Sequence, residues 1–134
     1  MTGRKFHADG TSPADGQVFV FGSNLSGMHG GGAARAAHQK YGAKLGVAEG
    51  RTGQSYAIPT VRAQIAGPLP LVDIKPAVDR FLHHAATHPE DRFFVTRIGC
   101  GLAGHRDEDV APLFRDAPAN CSIPLPWLHF LGAA

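Results

Sequence analysis

The hydrophobic positions of the chain fall into short continuous runs, each ending in a glycine-rich loop, with stretches of helical spacing between them. Val18-Phe19-Val20-Phe21 is β-branched and aromatic, shows no polar alternation, and runs into Gly22-Ser23-Asn24. Such a run reads as a buried strand ending in a loop. From Gly31 to Tyr41 the chain is alanine-rich, emerges from glycines and closes with basic residues and Gly42, which predicts a helix. Gln54 to Thr60 reads as a second strand whose ladder ends near Pro59. Leu71 to His84 carries apolar residues at helical spacing, with Asp73 near the favourable N-terminus, and predicts a crossover helix. Arg92 to Ile98 is a third strand, feeding Gly99-Cys100-Gly101-Leu102-Ala103-Gly104, and Asp107 to Phe114 resumes a helical pattern with three acids in its first turn. Cys121 to Leu125 reads as a last strand, with Pro126-Trp127 packing at the edge. Repeated β-loop-α units predict an α/β fold with a mostly parallel sheet covered by helices. Residues 1–16 lack an apolar period and are expected to be a flexible lead-in, partly disordered, to a single domain of residues 17–134.

Composition narrows the function classes. The 134 residues fit one domain, and 43% hydrophobic with 18% charged residues is ordinary for a soluble globule. A net charge of +2 is too small for the footprint of a dedicated nucleic-acid binder, so a nucleic-acid partner is not expected, while an anionic small ligand is compatible. Cys100 and Cys121 sit beside apolar runs, which points to reduced thiols in a cytoplasmic protein rather than a disulfide framework. No stretch is long enough to cross a bilayer, so no membrane partner is expected.

Candidate chemistry gathers in the two glycine loops. Gly27 to Ala34 follows a strand and opens a helix, so free backbone N–H groups and the positive helix end point at one place, where a phosphate is the natural occupant. Glycines let ligand oxygens approach the backbone. The loop is neither a Walker loop nor a dinucleotide fingerprint. One such cluster is as readily a tight turn as a site. Two clusters at strand ends change the weighing, because ligands of open parallel sheets bind there, and a diphosphate fits between them if their strands are neighbours.

Val20-Phe21-Gly22-Ser23-Asn24 followed by Gly30-Gly31-Gly32-Ala33 resembles the macro-domain loop in which an asparagine precedes a glycine triplet opening a helix. Ile98-Gly99-Cys100-Gly101-Leu102-Ala103-Gly104 resembles that family's second phosphate loop, in the form found in the branch containing terminal ADP-ribose glycohydrolase and phage and bacterial macro-like proteins. The resemblance, over about Val18 to Trp127, implies a three-layer α/β/α sandwich with a mixed, mostly parallel sheet. It implies binding of ADP-ribose, free or on an ADP-ribosylated macromolecule, without a further cofactor. Its implied binding set is Gly22, Ser23, Asn24, Gly30, Gly31, Gly32 and Ala33 in the first loop and Gly99 to His105 in the second, with Asn24 facing the distal ribose.

Family members either hydrolyse ADP-ribosyl bonds or only bind, and fold does not choose between them. Hydrolysis needs an activated water near the anomeric carbon. The family's lysine and acid are replaced here by Val61-Arg62 and by Ala103. Catalytic candidates are therefore Asn24, His29 as the titratable group of the first loop, and Asp107 as the nearest carboxylate beyond the second, though an exposed-loop role explains His29 equally well and a helix-start role explains Asp107 better. His105 is a candidate cap on the distal ribose. Asp15 is a loose candidate for the adenine amine, Glu49 for the pocket wall, and Arg35, Arg62 and Arg97 for offsetting ligand charge. His84 and His88 form an i, i+4 pair next to His83 but lack a third ligand, so no metal site is expected. The competing reading is a non-catalytic sensor or sequestering module for an NAD-derived nucleotide.

Overall fold

The computed structural model describes residues 5–29, 31–62, 67–101 and 103–131. It is a three-layer α/β/α sandwich built on one six-stranded mixed sheet. The strands are β1 (Lys5–His7), β2 (Gln17–Asn24), β3 (Gly50–Thr52), β4 (Ser55–Val61), β5 (Arg92–Val95) and β6 (Cys121–Pro124), in the spatial order β1-β6-β5-β2-β4-β3. All pairings are parallel except the β3–β4 hairpin at one edge. The helices are α1 (Gly32–Lys40), α2 (Leu71–Thr87) and a single turn, α3 (Asp107–Val110), which tightens into a 3₁₀ turn at Ala111–Phe114. A second 3₁₀ segment covers Leu125–Phe130.

The period-two geometry of strands divides the core. Val18 and Val20 of β2, with Ile58, Phe93 and Val95 of its neighbours and Ile123 of β6, pack against α2 and the 3₁₀ turns. Phe19 and Phe21, with Ala57 and Phe94, face the other way onto Ala34 and Ala37 of α1. On α2 the buried stripe is Ile74, Ala77, Val78, Phe81 and Ala85. The alanines of α1 present no bulk, so this short helix lies close on the sheet and its first turn reaches the strand ends.

Three sequence expectations need correction. The lead-in is not wholly outside the domain: Lys5–His7 adds a sheet-edge strand parallel to β6, with His7 Nδ1 2.7 Å from Ser122 Oγ and its ring stacked 3.8 Å from Phe94. Trp127 is no edge residue but fully buried, packed on Phe114. The pattern at Asp107 to Phe114 gives one α turn and a 3₁₀ turn, because Pro112 removes a backbone donor. No helix among the described residues is long and apolar enough to cross a membrane.

Candidate functional site

The chain reverses its direction across the sheet at β2. From there α1 and β3 lead to β4 on one side, and α2 carries the chain over the opposite face to β5 on the other. Because β2 and β5 are parallel neighbours, the loops leaving their carboxyl ends diverge and leave a crevice. That crevice is a cleft of about 870 Å³, at the upper end of the range of about 300–1,000 Å³ usual for small-ligand sites.

The first loop forms one wall. The Asn24 side chain closes it on itself: Nδ2 donates to the Met28 carbonyl at 2.8 Å, while Oδ1 accepts from Ser26 Oγ at 2.7 Å and from the Met28 N–H at 3.1 Å. One amide hydrogen of Asn24 is left for a ligand. Gly27 adopts φ +71° and touches the backbone of Gly46, where a Cβ would lie 2.5 Å from the carbonyl carbon. The loop then enters α1, which has Gly31 as N-cap, no side-chain cap and no acid in its first turn. The first helical N–H groups lack intrahelical acceptors, so the positive end of α1 opens onto the cleft.

The second loop forms the other wall. Gly99 holds φ +79° and its carbonyl accepts the His105 N–H at 2.7 Å, closing the loop. Gly22 of β2 sits where the loops meet: a Cβ there would be 3.0 Å from Thr60 Oγ1 and 3.6 Å from the Gly99 nitrogen. Gly101 differs, since a Cβ would meet nothing within 4 Å and its φ is not in the left-handed region. Arg97 lines the cleft and anchors the loop from below. Its Nε and Nη2 donate to the two oxygens of Asp107 at 2.9 and 2.7 Å, and Nη1 donates to Asp9 at 3.1 Å. Asp107 also accepts the Trp127 indole N–H at 2.7 Å. These donors, Arg97 first, hold the Asp107 carboxyl below its ordinary range. Burial, then the neighbouring Asp107 carboxylate, pushes the Cys100 thiol up to about 12, so it is no thiolate nucleophile at neutral pH.

The cleft brings together most of the glycine-loop residues singled out in the sequence. Gly22, Ser23 and Asn24 line it with Gly31, Gly32 and Ala33, and so do Gly99, Gly101 and Ala103 from the second loop. Cys100 faces an adjoining pocket of about 340 Å³ instead. Gly30 and Leu102 lie outside the described residues. His29, His105 and Asp107 do not line the cleft. His29 is buried against Phe21, with Nε2 donating to the Lys44 carbonyl at 2.9 Å. His105 donates to the Leu69 carbonyl at 2.7 Å, Gly104 turns the chain away, and Asp107 is held by Arg97 and Trp127. The Ser23 hydroxyl is also spent, on the Ala48 carbonyl.

Two looser assignments fail on position. Asp15 precedes β2 and so lies at the opposite end of that strand from the cleft, roughly 23 Å away at strand rise. Glu49 is paired with Arg80 at 2.5 and 2.8 Å. Sequence reading missed Thr60, Val61 and Gly67 on the β4 side and Thr96 beside Arg97. The parallel pairing of β4 with β2 places Thr60 next to Ser23, whose carbonyl its hydroxyl reaches at 3.4 Å. No motif marks these residues; the signal for them is strand order.

No protein-family model matches the chain, and neither does the sequence of any curated protein. Among solved structures the chain is similar to one described as that of a protein of unknown function from Bacteroides thetaiotaomicron, with a TM-score of 0.58 at 16% sequence identity. The likeness covers 90% of this chain and 96% of that one, and at such identity it is a likeness of fold.

Proposed function

We propose that the chain binds ADP-ribose or a related NAD-derived nucleotide, free or on an ADP-ribosylated macromolecule, and holds it by the diphosphate without cleaving it. The observation that carries this reading is the uncapped N-terminus of α1 opening into a cleft between two glycine loops, opposite Arg97. Backbone donors and a helix dipole make a place for negative charge, and the Arg97 guanidinium, though paired with Asp107 and Asp9, has N–H groups left to donate. The cleft volume leaves room for both sugars of such a ligand.

Holding rather than hydrolysis is favoured by where the ionisable groups go. Among the described residues the cleft lining has one ionisable side chain, Arg97. Of the candidate bases, Asp107 is held by Arg97 and Trp127, and His29, with Nε2 on the Lys44 carbonyl and Nδ1 buried without a hydrogen-bond partner, lies outside the cleft lining. A general base must reach the water it activates.

Isothermal titration with ADP-ribose, with AMP and ribose 5-phosphate as controls, tests binding. Gly101→Leu tests the site: an added Cβ there meets no atom within 4 Å and the φ is not left-handed, so the variant is expected to fold as the parent does while putting a bulky side chain on the cleft lining. ADP-ribose affinity is expected to fall by at least about 100-fold, or about 2.7 kcal/mol. Unchanged affinity in Gly101→Leu would remove the second loop from the site. Release of ADP-ribose from a modified protein by the parent chain would overturn the holding role.

A further inference from the structure

The small net charge of the chain conceals a segregation that the fold makes spatial. Between Gly16 and Val72 the sequence has one acid, Glu49, against Arg35, Lys40, Lys44, Arg51 and Arg62, whereas between Asp73 and Asp116 eight acids outnumber six lysines and arginines. The lone acid is neutralised by Arg80, and Arg51 by Asp91. The first stretch contributes α1 and the loop after it, which cover one face of the sheet; α2 and α3, bearing five of those eight acids, cover the other. One face of the molecule is therefore basic.

Its cations are uncommitted. Arg35, Lys40, Lys44 and Arg62 are exposed, and none forms an ion pair among the described residues. Backbone hydrogen bonds bring their segments to the first glycine loop. The Leu25 N–H is 3.0 Å from the Val61 carbonyl and 2.6 Å from that of Arg62, the Gly46 N–H donates to Gly27 at 2.9 Å, and His29 reaches the Lys44 carbonyl. Arg62 and Lys44 thus flank the loop, and α1 with Arg35 leaves from its end. The same strip exposes Leu25, Met28 and Leu45, at 55%, 42% and 52% of their full surface.

We propose that this face docks single-stranded nucleic acid, with phosphates on Arg35, Lys40, Lys44 and Arg62 and base faces against Leu25, Met28 and Leu45. Uncompensated cations select a polyanion. The apolar side chains between them give contact to exposed base faces, which a duplex encloses. This surface shares Met28 with the nucleotide cleft, but none of its four cations is part of the cleft lining.

Fluorescence anisotropy of a short, mixed-sequence single-stranded oligonucleotide tests the proposal. Four phosphate contacts predict a slope of about −3 in log K against log salt. The combined variant Arg35→Gln, Lys40→Gln, Lys44→Gln and Arg62→Gln is expected to bind at least about tenfold more weakly at about 50 mM salt and to flatten the slope. Lys75→Gln, on the far face, leaves both unchanged. The proposal is overturned if the parent chain shows no binding at that salt, if the combined variant binds as the parent does, or if polyglutamate or duplex competes equally well. ADP-ribose titration of the combined variant keeps the two surfaces distinct: failure of the cleft reading leaves the oligonucleotide result standing, and the reverse also holds.

Discussion

The two glycine loops look alike in sequence and are held by different forces. The first is held by shape: the Asn24 amide ties its own loop, and Gly27 lies against Gly46 where no side chain fits. The second is held by charge, through the Arg97–Asp107 pair and the Trp127 indole. The helices they open differ as well. α1 runs nine residues and offers an aligned N-terminus, while α3 has four and contributes little dipole. A strand, glycines and a helix start in series therefore specify a bend; what the bend supplies depends on the contacts behind it. Here one wall supplies backbone donors and the other supplies an open surface at Gly101 beside an arginine already paired with two carboxylates.

The sharpest way to break this contrast is to add a methyl group to each kind of glycine. Gly27→Ala must place a Cβ 2.5 Å from the Gly46 carbonyl carbon at φ +71°, and the loss is expected to reach about 3 kcal/mol, from left-handed strain of about 1–2 kcal/mol plus displacement of the packed backbone. Gly101→Ala, by contrast, should leave stability unchanged or raise it slightly by restricting the unfolded chain. Urea denaturation of both variants measures the difference, and equal midpoints would mean that Gly27 is not clasped as described.

A smaller effect is expected at the second loop. Asp107→Ala removes the acceptor of the buried Trp127 N–H and one of the two anchors of Arg97, which costs about 1–3 kcal/mol. Hydrogen exchange should speed up at the amides of the second loop while those of the first stay protected. Equal loosening of both loops would show that they are one cooperative unit and not two separately held walls.

How much of this was legible beforehand follows from which elements carry their own signal. β2, β4 and β5 are apolar runs bounded by turns, and α2 keeps its stripe from Ile74 to Ala85, so sequence places all four within a few residues. β1 and β3 are three-residue edge strands, Lys-Phe-His and Gly-Arg-Thr, without the burial that creates a pattern. They exist because neighbours pair with them. The glycine walls were legible for the same reason as the strands, being local. The fate of His29 and Asp107 was not, because a loop histidine and a helix-start acid look the same whether they face ligand or protein. Only the Lys44 carbonyl and the Trp127 indole, 15 and 20 residues away, decide it.

Acid separates the charge-held wall from the rest of the fold, provided a second titration is removed first. The depressed Asp107 pKa means that its stabilisation is complete above the unfolded value near 3.8 and is lost as pH falls through the folded value. His84 acts at higher pH. Its ring is stacked 4.1 Å from His88 and beside Tyr56, with Nε2 buried and unpartnered, and burial, then the charges of His88 and Arg51, lower its pKa against the opposing pull of Asp91 and Glu90. The unfolded chain therefore takes up a proton below about 6.5 that the folded chain resists, and stability declines from there until the folded value is passed. His7, also lowered mainly by burial, adds to the same window. His84→Phe keeps a ring in the stack and removes the proton, so the urea midpoint should fall less steeply between about pH 7 and 5.5, with the His7 share remaining. An unchanged slope would place the mid-pH loss elsewhere, whereas a shallower one leaves the steeper decline below about pH 4 as the signature of the Arg97–Asp107 wall.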